Sequence, residues 1–139
     1  MTGIAGIGTD IIAIGRITEA LERHGERFAK RILTDAELDE FSASRTPAVL
    51  LAKRFAAKEA IAKALGTGIA HGLGFHDMHI AHDQRGRPLV GFSAAGARLC
   101  GDLGIGRCHL SLSDEREYVV AYAVAEVSAD SATDTLRGS

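Results

Sequence analysis

The sequence predicts an α+β domain in which antiparallel strand pairs dominate, and three observations carry that prediction. Strand-like runs at residues 78–82 and 89–92 flank Asp83-Gln84-Arg85-Gly86-Arg87-Pro88, a turn-rich connection that suits a hairpin. His109-Leu110-Ser111-Leu112-Ser113 alternates polar and apolar, and a turn over 114–117 leads into 118–124, which is apolar throughout. Between residues 16 and 65 the apolar residues recur at helical spacing instead. The expected order is strand, three helices, hairpin, helix, hairpin.

The first strand is Gly3-Ile4-Ala5-Gly6-Ile7-Gly8-Thr9, ending in Asp10-Ile11-Ile12, and it reads as buried on both faces. Its glycines let a neighbour approach the backbone closely. A helix follows over 16–30 with Ile17, Leu21 and Phe28 inward, and Gly25 is its weak point, costing about 1 kcal/mol. Thr34-Asp35-Ala36-Glu37 is a capping box opening a short helix that carries Leu38 and Phe41. Pro47 precedes the long helix, which Gly66 or Gly68 ends. After the first hairpin, Ser93 caps a helix over 94–103 that Gly104 terminates. Residues 1–127 make one domain, and 128–139 read as a disordered polar tail.

At 139 residues, one domain buries roughly two thirds of its unfolded surface. No apolar run approaches the roughly 18 residues needed to span a bilayer, and the N-terminus lacks a signal-peptide pattern, so the expected location is the cytoplasm. Cys100 and Cys108 fit no C-x-x-C spacing and read as small buried residues. A net charge of −2 argues against a nucleic-acid binder, so any basic patch is local.

The long helix carries the most informative anomaly. At about 100° per residue, Leu51, Phe55, Ala62 and Leu65 form one apolar stripe, with Leu50 and Ile61 at its edge. Arg54 and Lys58 fall inside that stripe, while Glu59 and Lys63 lie together along its flank. Surface pairing and snorkelling account for such a quartet, and so does an anionic ligand. Asp10 is the second anomaly, because a carboxylate ending a buried strand is costly to desolvate unless cations or donors meet it. Two carboxylates with Arg54, Lys58 and Lys63 nearby have the composition of a magnesium and phosphate site. Gly66-Thr67-Gly68 either offers backbone N–H groups to the anion or is a plain helix C-cap.

Gly6-Ile7-Gly8-Thr9-Asp10-Ile11, then Arg54-Phe55-Ala56-Ala57-Lys58-Glu59-Ala60 running through Lys63-Ala64-Leu65-Gly66-Thr67-Gly68-Ile69, then His109-Leu110-Ser111-Leu112-Ser113 resemble the three signatures of the holo-[acyl-carrier-protein] synthase family. The resemblance spans about residues 3–127 and implies the small 4'-phosphopantetheinyl transferase fold, an antiparallel sheet packed on helices and assembling as a homotrimer with sites at subunit boundaries. It implies an enzyme that moves 4'-phosphopantetheine from coenzyme A to a serine of apo acyl carrier protein, with Mg²⁺, releasing adenosine 3',5'-bisphosphate in support of fatty acid biosynthesis. By motif, Asp10 and Glu59 match the metal-binding carboxylates, and Lys63 the lysine one turn beyond. Asp10, Glu59 and Lys63 are then the catalytic set, and Arg54, Lys63, Gly66 and His109 the coenzyme A candidates. Arg54 has a structural ion pair as its rival role, His109 a structural hydrogen bond. Lys58 is either a phosphate contact or a snorkelling side chain.

On the first helix, Arg16, Arg23, Arg27 and Lys30 fall within about 60° if Gly25 does not break it, a basic ridge on an acidic protein. Such a ridge is often a plain solvated face, but the resemblance implies that an acidic acyl carrier protein docks on this helix, which makes Arg16, Arg23 and Arg27 the candidate carrier-binding residues. His71, His76, His79 and His82 are set aside as a zinc site, since His79 points opposite to His76 and His82 on a strand. Ser111 and Ser113 imply no Ser-His-Asp arrangement, and Asp114 is assigned no role. Two rival readings are a non-catalytic coenzyme A or carrier-binding module and a Mg²⁺-dependent phosphohydrolase.

Overall fold

The computed structural model describes residues 3–129, so most of the expected tail lies outside the described residues. The chain runs β1 (Ile4–Ala13), α1 (Ile14–His24), α2 (Glu26–Ile32), α3 (Asp35–Ala43), α4 (Pro47–Leu65), a 3-10 turn (Phe75–Asp77), β2 (Met78–His82), β3 (Pro88–Phe92), α5 (Ala94–Asp102), β4 (Ile105–Asp114) and β5 (Tyr118–Val127). One antiparallel sheet has the order β1-β5-β4, and β2 and β3 form a separate two-stranded hairpin. The α+β class stands, with both hairpins where their turn chemistry put them.

Helix α4 lies across the inner face of the three-stranded sheet and is buried on nearly every side. What lets it approach is small side chains on both partners. Val119, Ala121, Ala123 and Ala125 of β5 are fully buried beneath it, and Ala56, Ala57, Ala60 and Ala64 answer from the helix. The glycines of β1 complete the contact, as the sequence predicts. A Cβ on Gly6 would overlap the carbonyl oxygen of Ala64, and one on Gly8 that of Ala60, with Ala64 N 2.7 Å and Lys63 Cβ 2.8 Å away. Backbone cannot swing aside as a side chain can. Gly8→Ala should therefore push α4 off the sheet, costing about 1–3 kcal/mol or more; a denaturation midpoint equal to that of wild type would contradict the tight contact.

The structure changes two expectations about these elements. Residues 16–30 are not one helix, because Gly25 adopts φ 60°, ψ −145° and separates α1 from α2, while its N–H bonds Leu21 O at 2.8 Å. That left-handed φ suits glycine. Secondly, β1 is not buried on both faces. It is an edge strand with Gly8 and Ile12 facing α4, whereas Ile7 and Ile11 are 57% and 64% exposed. Tyr118, Val120 and Tyr122 of β5 stand out on that same face, paired across the register with Ala13, Ile11 and Thr9. The result is an uncovered apolar sheet face.

The capping expectations hold. Thr34 Oγ1 accepts from Glu37 N at 3.4 Å while Glu37 Oε1 accepts from Thr34 N at 2.9 Å, and Ser93 Oγ accepts from Gly96 N at 3.0 Å. On β4, Leu110 faces inward and His109, Ser111 and Ser113 outward, following the predicted alternation.

Candidate active site

Asp10 and Ile12 alternate with the exposed Ile11 along β1, so Asp10 faces α4. There it meets Lys63, whose Nζ donates to Asp10 Oδ1 at 3.2 Å and to Thr9 O at 2.9 Å. Glu59, one turn earlier on α4, shares a cleft of about 390 Å³ with Asp10, Arg16, Phe28 and Phe55. Partial burial raises the Glu59 pKa above its ordinary value, and the Asp10 charge raises it further, against a smaller opposing pull from Lys63. Two carboxylates facing one cleft, with a cation at their edge, are a donor set that a divalent ion would satisfy. The cleft therefore unites Asp10, Glu59 and Arg16, with Lys63 held at its edge through Asp10, and Arg16 is also part of the basic ridge.

The other half of the charged quartet faces elsewhere. Arg54 is 3% exposed, with Nη2 donating to Glu40 Oε2 at 3.0 Å and Nε 3.8 Å from Glu37 Oε2. Of its two expected roles, it takes the ion pair. Lys58 neither snorkels nor reaches the cleft. Its fully buried Nζ donates to Glu37 Oε1 at 2.6 Å and to Ile32 O at 2.7 Å. Glu37, also fully buried, accepts in addition from Ile80 N at 2.9 Å. Burial pulls the Glu37 pKa upward, but Lys58 and the two backbone donors outweigh it and hold the carboxyl below its ordinary value. Burial dominates at Lys58 and lowers its pKa despite Glu37. Glu37 is the residue that sequence reasoning missed as a partner of α4. Its capping-box position explained the carboxylate locally, which concealed its second task.

Gly66 sits at φ 82° as the C-cap of α4, and the N–H groups of Gly66, Thr67 and Gly68 bond Lys63 O and Ala62 O at 3.0–3.2 Å. Those donors are engaged within the C-terminal, electronegative end of the helix, where an anion is not favoured. His109 lies on the outer face of the sheet, opposite to Asp10, with Nε2 3.3 Å from Glu126 Oε2. It lines a separate groove of about 460 Å³ with Arg87, Pro88, Leu89 and Arg107. Asp114 pairs with Lys53 at 3.2 Å. Among the histidines set aside, the His76 ring meets Lys30 O at 2.6 Å and the His79 ring meets Thr34 Oγ1 at 3.2 Å.

The break at Gly25 divides the basic ridge. Arg16 and Arg23 are exposed on α1, whereas Arg27 is exposed on α2, lining a groove of about 510 Å³ with His24, Phe28, Lys30, Arg31 and His76. Phe28 also walls the cleft that holds Glu59, so the two depressions adjoin at that ring.

A sequence profile described as the 4'-phosphopantetheinyl transferase superfamily matches residues 6–123. The chain belongs to that family. It is similar to the holo-[acyl-carrier-protein] synthase of Vibrio cholerae serotype O1, 55% identical over 123 residues that make up 88% of this chain and 98% of the relative. A Halorhodospira halophila enzyme of the same name is 54% identical over 121 residues, 87% of this chain and 96% of that one. Among solved structures, holo-[acyl-carrier-protein] synthase from Neisseria meningitidis superposes with a TM-score of 0.86 at 46% identity, covering 88% of this chain and 98% of the other. The Helicobacter pylori synthase, solved in complex with coenzyme A, gives 0.76 at 29% identity, covering 86% and 98%. The chain is thus an enzyme, a phosphopantetheinyl transferase of the holo-[acyl-carrier-protein] synthase kind.

Proposed function

We propose that this transferase moves 4'-phosphopantetheine from coenzyme A to a serine of apo acyl carrier protein in fatty acid biosynthesis in the cytoplasm, using Mg²⁺ held by Asp10 and Glu59. The observation that carries the reading is the convergence of Asp10, Glu59 and Arg16 on one cleft, with Lys63 bonded to Asp10 at its edge. In the reaction, the serine Oγ forms a bond to the β-phosphorus of coenzyme A. The bond from that phosphorus to the bridging oxygen breaks, and adenosine 3',5'-bisphosphate departs with the electron pair. When bound, Mg²⁺ supplies Lewis-acid neutralisation of the pyrophosphate charge. Glu59 accepts the serine proton, directly or through a water. Lys63, already held by Thr9 O and Asp10, steadies charge on the transferring phosphoryl and the leaving group. Arg54 and Gly66 serve by holding and ending the helix that carries Glu59, without touching coenzyme A.

Arg16, Arg23 and Arg27 receive the acidic carrier. Arg23 stands outside the cleft, so Arg23→Glu should raise KM for the carrier roughly tenfold or more while leaving KM for coenzyme A alone. An unchanged carrier KM would return Arg23 to plain solvation. The apolar sheet face of Ile7, Ile11, Val120 and Tyr122 supports a homotrimer, since contiguous exposed apolar area of this kind marks an interface. Sedimentation should give three times the chain mass at micromolar concentration; a monomer there would overturn the trimer. Because His109 lies opposite to Asp10 within the chain, it would serve coenzyme A only across such a boundary.

The deciding assay incubates the protein with Mg²⁺, coenzyme A and apo acyl carrier protein and weighs the carrier. A phosphopantetheine mass increment is expected. Hydrolysed coenzyme A beside an unchanged carrier would mean a phosphohydrolase, and no change in either would mean a binding module.

A further inference from the structure

We infer that Lys58 and Glu37 are positioning residues for the transfer reaction, setting where α4 presents Glu59; the inference rests on the role proposed above for Glu59. Helix α4 meets the sheet through alanines and glycines, a smooth contact with few protruding side chains to fix the helix along or about its own axis. Lys63 and Lys53 tie the helix to β1 and β4 at partly exposed positions, and the fully buried directional contacts come from its other side. Lys58 Nζ donates to Ile32 O at the end of α2 and to Glu37 Oε1 near the start of α3, and Glu37 Oε2 accepts from Ile80 N of β2. Two elements thereby hold the Lys58 side chain directly and a third holds it through Glu37, and Lys58 precedes Glu59 by a single residue. Arg54, one turn earlier, is tied to α3 through Glu40.

A buried ion pair contributes little net stability compared with apolar residues of similar volume, because removing both charges from water offsets their attraction. Fixing one arrangement among several similar ones is the better-attested use of such a pair. Here the arrangement to be fixed is the separation of Glu59 from Asp10 across the cleft, to which a displacement of about 1 Å is worth about 100-fold in rate. Neither Lys58 nor Glu37 lines that cleft, so the effect acts through Glu59.

The test compares wild type with Glu37→Gln/Lys58→Met, which removes both charges while keeping chain length and an amide acceptor, and with Lys58→Arg, which keeps a charged donor. Fold is followed by circular dichroism, and kcat, both KM values and the Mg²⁺ concentration for half-maximal rate are measured. The expected result is a folded double variant with kcat down 10- to 100-fold, KM for coenzyme A and for the carrier within threefold, and the Mg²⁺ requirement raised. Lys58→Arg should recover part of the lost kcat. A folded double variant with wild-type kcat and Mg²⁺ requirement overturns the inference, as does failure of both variants to fold, which would make the pair purely structural. Glu59→Gln is assayed beside them. If it is active, the role assigned to Glu59 has failed; if it is inactive while the pair variants turn over normally, only the positioning role has.

Discussion

Glu59→Gln should abolish turnover while leaving the fold at least as stable as wild type. Removing a general base lowers kcat by about 10²–10⁴, and loss of a metal-binding carboxylate adds to that. The stability half of the prediction follows from the sign of the pKa shift. The folded protein holds Glu59 above its ordinary value, so at neutral pH the ionised carboxylate opposes folding, and that cost disappears with the charge. A neutral amide of the same length removes it. The measurements are kcat with Mg²⁺, coenzyme A and apo acyl carrier protein, together with the thermal midpoint in Mg²⁺-free buffer, where no metal binding adds to the stability of wild type. Near-normal rates would remove Glu59 from the mechanism, and a midpoint well below wild type would show that the carboxylate holds the fold instead. Loss of activity without loss of stability is the pattern expected of a strained functional group.

Lys58→Met alone should destabilise the protein by about 3–5 kcal/mol, since it leaves the Glu37 carboxylate buried without its closest cation. Restoring balance by making Glu37 apolar as well would not fully rescue stability. Thr34 N and Ile80 N both donate to that carboxylate, and an apolar replacement strands them. The pH dependence adds a check. In wild type the folded pKa of Glu37 lies below its ordinary 4.5, so its contribution is complete above that value and is lost as pH falls through the lower folded one. In Lys58→Met only the two backbone donors still oppose burial, so the carboxyl rises from its wild-type position and protonation costs the folded variant less as pH falls. The gap between the two proteins should narrow from pH 8 towards pH 4 in urea titrations. A gap that stays constant over that range would mean that Glu37 is not the group left uncompensated.

The sequence by itself determined the class, the hairpins, the caps at Thr34 and Ser93, and the glycines that admit α4 to β1. These follow from chain-local chemistry: period, turn residues, cap oxygens and the missing Cβ. The motif resemblance singled out Asp10, Glu59 and Lys63 as a set, whereas the misplaced charges by themselves did not separate those residues from Arg54 and Lys58. Tertiary structure alone decided which of the four charges on α4 face the cleft. A helical wheel reports direction around one axis, but it cannot say what waits in that direction. For Arg54 and Lys58 it was Glu37 and Glu40 on another helix, 14 to 21 residues away in the chain. The exposed face of β1 and β5 was hidden for the same reason. An apolar strand looks alike whether its second face meets a helix, solvent or another subunit, and only the packing of the whole chain shows which face α4 covers.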